Sequence, residues 1–201
     1  MIAHLRGTVL EKHPNQVILE AGGVGYDVMI PISTYSSLAE TGETASLRIH
    51  TVVREDAILL FGFSSAQEKR LFERLISVSG VGPKVAITIL SGLAVDDVVA
   101  AIRGGMVERL VRIPGIGKKT AERLIVELRD KLDAIGASAS PVTAAPLAGA
   151  LSAVDQDVVS ALVNLGAQRA QAETALRKAQ AAGFTGSDFE ALFRKAMEHL
   201  R

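Results

Sequence analysis

Residues 75–90 read LISVSGVGPKVAITIL, and residues 110–125 read LVRIPGIGKKTAERLI. The two stretches match at an offset of 35 residues. Each has an apolar helix end, a Gly-aliphatic-Gly step, a Lys-bearing segment and a second apolar helix. Gly80-Val81-Gly82 aligns with Gly115-Ile116-Gly117. A sharp reversal between helices needs backbone at positive φ, which glycine adopts without steric penalty. Val81 and Ile116 can tuck between the helices and hold the reversal. The helix that follows begins with unpaired N–H groups. Together with the helix dipole, they favour an anion. Pro83 suits a first helical turn, where its missing N–H costs nothing. Lys84, Lys118 and Lys119 add positive charge beside the helix starts.

This is the helix-hairpin-helix pattern, which grips the DNA backbone without reading bases. Corners of the same form also serve packing alone. Two copies, each with Lys after its second glycine, favour phosphate binding. GIGKKT invites a nucleotide-site reading too, but a P-loop needs G-x-x-x-x-G-K-[ST] after a strand. Here Arg112 stands at the first glycine position, Lys119 follows Lys118, and the preceding segment reads as helix.

On the N-terminal side, the period changes from helical to alternating. Met1–Lys12, Gln16–Ala21, Val24–Ile30, Ala45–Val53 and Ala57–Phe63 read as strands, with turn signals at Asn15 and Gly22-Gly23. Ser33–Glu40 is a short helix candidate with a Ser cap behind Pro31. Five strands with a helix between the third and fourth match an OB-like barrel. From residue 64, Leu71, Leu75 and Val78 begin a helical period in Ala66–Val78. Further helices are expected at Pro83–Leu90, Asp96–Arg103 (capped by Asp96–Asp97), Met106–Arg112 and Lys118–Leu132. Gly136–Ala153 has no charge and no aromatic residue and reads as a linker. The remainder reads as three short helices. Ser152/Asp155 and Ser187/Glu190 have capping-box spacing, and Gly166 and Gly183 act as stops. The expected class is therefore α+β and multidomain. An OB-like five-stranded barrel (1–63) is followed by an all-α tandem helix-hairpin-helix domain (64–135), a linker (136–153) and a three-helix module (154–201).

Composition excludes several classes. Of 201 residues, 48% are hydrophobic and 22% charged, so the chain is globular. With no Cys there is no disulfide framework, thiolate nucleophile or Cys zinc site. No apolar run approaches a bilayer span, and no export signal is visible, so a cytoplasmic location is expected. His4, His13, His50 and His199 lack metal-ligand spacing, and no catalytic motif or cofactor fingerprint occurs. No catalytic residue, cofactor or metal is expected. Net charge is zero but uneven: residues 1–63 carry four Lys/Arg against seven Asp/Glu, and residues 64–135 carry twelve against nine. That argues against indiscriminate coating of nucleic acid. Single-strand binders of the OB type rely on aromatic platforms. The barrel has only Tyr26, Tyr35, Phe61 and Phe63, so base stacking is not the expected source of affinity.

The ordered set MIAHLRGTV, VVREDAILLFGF (52–63), LISVSGVGPKVA and IPGIGKKTAERLIVELRDKL resembles the RuvA family, the Holliday-junction-binding subunits of the bacterial branch-migration complex. The likeness covers essentially the whole chain and is least specific in the linker and tail. It implies a homotetramer, alone or as two tetramers sandwiching the DNA, on an open, square four-way junction. It also implies a C-terminal domain that holds the hexameric ATPase RuvB, with the resolvase RuvC acting on the same junction. Gly80, Val81, Gly82, Lys84, Gly115, Ile116, Gly117, Lys118 and Lys119 would contact DNA. By local reading, Glu55 and Asp56 are a solvated hairpin tip; by the resemblance, they form an acidic pin at the tetramer centre. Arg54 would either hold a phosphate or pair with its neighbours. In the tail, Val158, Val159, Leu162, Leu165, Leu176, Phe184, Phe189, Leu192, Phe193 and Met197 are expected to be mostly core, with some surface left for RuvB.

Overall fold

The computed structural model describes residues 1–132, 152–184 and 188–200. The chain divides into two compact units, Met1–Ala139 and Ser140–Arg201. Most of the expected linker, 136–153, lies outside the described residues.

The first unit opens with β1 (His4–His13), β2 (Gln16–Ala21), β3 (Val24–Met29), α1 (Ile32–Ser37), β4 (Thr44–Val53) and β5 (Ile58–Phe63). They close as a barrel in the order β1-β2-β3-β5-β4. Alternation sends Val9, Val17, Leu19, Val28, Leu47 and Ile49 inward, all at most 1% exposed. A bulge between Val9 and Glu11 in β1 leaves Leu10 facing out. The β3–β5 closure is parallel and brief, pairing Val28 with Leu60 and Met29 with Phe61. It requires glycine at 62: a Cβ there would lie 2.6 Å from Val28 Cγ1 and 2.9 Å from Leu47 Cδ1.

The helices α2 (Ala66–Ile76), α3 (Pro83–Gly92), α4 (Val95–Arg103), α5 (Val107–Val111) and α6 (Lys118–Leu128) complete this unit. Barrel and helices share a seam. Phe61 and Phe63 of β5 pack on Phe72 of α2, with ring centroids 5.2 and 4.9 Å apart, and belong to the helical core. Beside them lies the buried carboxylate of Glu68. It accepts from Ser33 Oγ (2.5 Å), Thr34 Oγ1 (2.9 Å), the Ser64 N–H (3.2 Å) and Ser64 Oγ (2.9 Å). Burying an unpaired carboxylate costs several kcal/mol. These four donors offset that penalty and tie α1 and the end of β5 to α2.

Local expectations differ at three helix starts. Ser33 does not cap α1; the N-cap is Pro31, and Ser33 reaches Glu68 instead. Asp96 and Asp97 do not cap α4, whose N-cap is Ala94. They lie in its first turn, where negative charge suits the dipole, and Asp97 accepts from Arg109 Nη2 at 2.7 Å. In the tail, Asp188 rather than Ser187 caps the last helix, accepting from the N–H groups of Glu190 and Ala191. Ser187 lies outside the described residues.

The second unit contains α7 (Ala153–Asn164), α8 (Arg169–Ala181) and α9 (Phe189–Glu198). The Ser152/Asp155 capping box forms, and Gly166 and Gly183 end helices at φ 99° and 90°. Of the ten apolar residues expected to be mostly core with some surface left over, the ones left exposed are Leu165 (67%), Phe184, Phe189 and Met197. Alanines at 172, 175, 179 and 196 let the helices approach closely around Val158, Leu162, Leu176 and Leu192. The larger side chains are thereby left outside.

Candidate nucleic-acid interface

The two glycine corners are nearly the same object. Ser77 and Arg112 end the preceding helices. The N–H of Val81 donates to Val78 O at 3.0 Å, and the N–H of Ile116 donates to Ile113 O at 3.1 Å. Gly80 and Gly115 take φ 89° and 84°. Gly82 and Gly117 follow at φ −84°, ψ 170° and φ −84°, ψ 164°, each the N-cap of the next helix. Helical bonding then starts with the Ala86 N–H to Gly82 O and the Ala121 N–H to Gly117 O, both 3.0 Å. The first-turn N–H groups of Lys84 and Val85, and of Lys118, Lys119 and Thr120, therefore lack an intrahelical acceptor.

Glycine is required at 80 and 115 by φ, but nothing in the fold requires it at 82 and 117. There φ is ordinary, and a Cβ would meet nothing within 4 Å among the described residues at either position. Nor is glycine the better cap, because Ser, Asp and Asn are preferred at N-caps. Elsewhere this chain uses such caps: Ser65 on α2, Ser152 on α7 and Asp188 on α9. The starts of α3 and α6 alone combine an N-cap glycine with no side-chain cap among the described residues. No side chain caps their first-turn amides.

Val81 and Ile116 sit on the inner side of their corners. Each side chain is 4% exposed in the helical core, and each N–H is held by its turn. They shape the corners from inside. Lys84, Lys118 and Lys119 are exposed and form no ion pair among the described residues.

Arg54, Glu55 and Asp56 form the exposed tip of the β4–β5 hairpin, closed by the Arg54 N–H donating to Ala57 O at 2.8 Å. Arg54 makes no ion pair with Glu55 or Asp56. Val53 and Ile58, paired at the base of the turn, are 71% and 67% exposed. A cleft of about 900 Å³ brings Arg54 and Asp56 to the same opening as Gly82 and Lys84. Glu55 and the second corner do not line it. Phe61 and Phe63 are fully buried, while Tyr26 and Tyr35 pack against the barrel core and stay partly exposed. Among the described residues no His/Cys/Asp/Glu group is arranged to hold a metal ion, and no single helix is long and apolar enough to cross a membrane.

One residue at this face escaped the sequence reading. Arg123 of α6 donates from Nη1 to the carbonyl of Ser79, at 2.8 Å, across 44 residues of chain. The available signal was a break in the repeat: its counterpart at the 35-residue offset is Thr88.

A family model described as RuvA N terminal domain matches residues 1–62, and one described as SAM-like Helix-hairpin-helix tandem matches residues 72–130. The chain is 59% identical over 201 residues to the Holliday junction branch migration complex subunit RuvA of Solibacter usitatus, covering 100% of both chains. Identity to the protein of the same name from Acidobacterium capsulatum is 55% over 208 residues, again with full coverage of both. For that of Geobacter metallireducens it is 48% over 200 residues, covering 100% of this chain and 99% of the relative. With barrel, tandem hairpins and helical tail matched end to end, the chain belongs to the RuvA family.

Proposed function

We propose that this protein binds four-way (Holliday) junction DNA by structure rather than sequence, holds it open and square, and targets the RuvB ATPase to it for branch migration in recombination and repair. It is the non-catalytic subunit; the motor chemistry belongs to the partner chain. The observation that carries this reading is the pair of open helix starts. Their N-cap glycines answer to no need of the fold and leave room for a phosphate to reach the backbone amides. Gly80–Gly82 and Gly115–Gly117 supply the corners, and Lys84, Lys118 and Lys119 supply charge. The full-length relatives are named as branch migration complex subunits, which supports the same function.

Glu55 and Asp56 act as an acidic pin. In a homotetramer, or two tetramers face to face, they gather at the crossover and repel phosphates, disfavouring a continuous duplex across the centre. Arg54, unpaired with either acid, is free to hold a phosphate beside them. The exposed apolar residues Leu165, Phe184, Phe189 and Met197 of the tail offer the RuvB-binding face. RuvC acts on the same junction, and the complex works in the cytoplasm.

A gel-shift comparison of a four-way junction with duplex of equal length, with molecular mass measured alongside, tests this. Tighter junction binding by a tetramer or octamer is expected. Equal affinity for both DNAs, or strand cleavage by the purified chain alone, would overturn it. Truncation after Gly136 should leave junction binding intact and abolish stimulation of RuvB; continued stimulation would remove the tail from that role.

A further inference from the structure

The two corners are held in shape by different means. Each is a four-residue turn, Val78–Val81 or Ile113–Ile116, closed by an i+3 N–H to i carbonyl bond. Glycine at the third position has positive φ, whereas Ser79 at the second does not. That combination defines a type II turn. Types I and II interconvert by flipping the central peptide, here Ser79–Gly80 or Pro114–Gly115. In the second turn Pro114 pre-sets φ at the second position. That φ is common to both turn types, so proline stiffens the turn without choosing between them, and Ser79 lacks even this restraint.

Arg123 restrains the first turn from outside, at the flipping peptide itself. Its Nη1 donates to Ser79 O at 2.8 Å, and it approaches within 3.7 Å of where a Gly80 Cβ would be. Because a peptide unit is planar and trans, its C=O and N–H point in opposite directions. Gripping the Ser79 carbonyl therefore also sets the direction of the Gly80 N–H. The reciprocal brace does not exist: Thr88, the counterpart of Arg123, bonds its hydroxyl to Lys84 O in its own helix at 3.0 Å.

We propose that Arg123 is a positioning residue, reaching from the second hairpin to lock the Ser79–Gly80 peptide of the first in the orientation that phosphate binding uses. The locking is a property of the free protein; its consequence for DNA rests on the phosphate reading above.

The test is Arg123→Met in the full-length protein. The nuclear Overhauser contact between the α-proton of Ser79 and the Gly80 N–H reads the turn type, being strong in type II and weak in type I, whereas the bond that closes the turn is kept in both. In Arg123→Met this contact should weaken severalfold, and the matching contact between Pro114 and Gly115 should be unchanged. Junction affinity should fall about tenfold, as for loss of one charge-assisted hydrogen bond, with no change in salt slope. An unchanged contact between Ser79 and Gly80 would overturn the proposal. So would lost affinity that comes with a shallower salt slope, since that would make Arg123 a phosphate ligand. A weakened contact with full affinity would overturn the positioning role. Lys84→Ala run in parallel separates the two ideas: if it leaves affinity and slope untouched, the phosphate reading fails while the turn-type data still judge the brace.

Discussion

The two hairpins share backbone geometry and differ in almost everything else. Their glycine dihedrals agree within about 6°, and their turn bonds are the same. Yet the first carries Pro83 and one lysine where the second carries Lys118 and Lys119, and the first has Ser79 where the second has Pro114. What the copies hold in common is the open presentation of main-chain amides. Charge and bracing are free to vary around it. On the proposed function, the sequence-independent part of the interface is built from backbone, and side chains adjust its strength.

The comparison breaks most severely if both openings are closed. Gly82→Ser with Gly117→Ser places an oxygen where it can cap the first-turn amides. Stability should hold or rise by a few tenths of a kcal/mol, as Ser is a slightly better N-cap than Gly. Junction affinity should fall roughly 100-fold, about one charge-assisted hydrogen bond per corner. Thermal unfolding and a binding titration read the two effects separately.

Next in size is the charge asymmetry. Lys118→Ala with Lys119→Ala should weaken binding to all sequences alike and flatten the log–log salt slope by about 2, against about 1 for Lys84→Ala. Equal slopes for the two variants would show that charge is not what distinguishes the hairpins.

Asp56 of the acidic tip shares a cleft with the first corner but not the second. Glu55→Ala with Asp56→Ala should retain or tighten DNA binding while narrowing the preference for a junction over duplex. A preference that survives intact removes the pin. The smallest effect belongs to Ser79→Pro in the otherwise native chain. Stability should rise by about 0.4–1 kcal/mol through a less flexible unfolded state, with junction affinity unchanged because Arg123 already holds that peptide.

The corners were legible because Gly-aliphatic-Gly between two apolar helical periods has few structural solutions, and a second copy at a constant offset repeats the signal. The barrel strands were legible from alternation, with β2 predicted to the residue. The seam was not. Glu68 reads as an ordinary first-turn acid on α2, and nothing local reveals that its partners Ser33 and Thr34 lie 35 and 34 residues away. Arg123 escaped for the same reason. A motif says which residues form a corner, not which of their N–H groups the turn consumes, and at Val81 and Ile116 the turn takes them. In the tail, an apolar residue count could not separate Leu162 from Leu165. The alanine face decides that, by allowing the helices to close without the larger side chains.

The central claim is that both helix starts meet phosphate through their amides. Amide hydrogen exchange with and without a four-way junction tests it at the residues concerned. Gly82, Lys84 and Val85 should slow together with Gly117 to Thr120 when junction is added. Protection elsewhere on the protein, with both of these segments exchanging at their free-state rates, would contradict it.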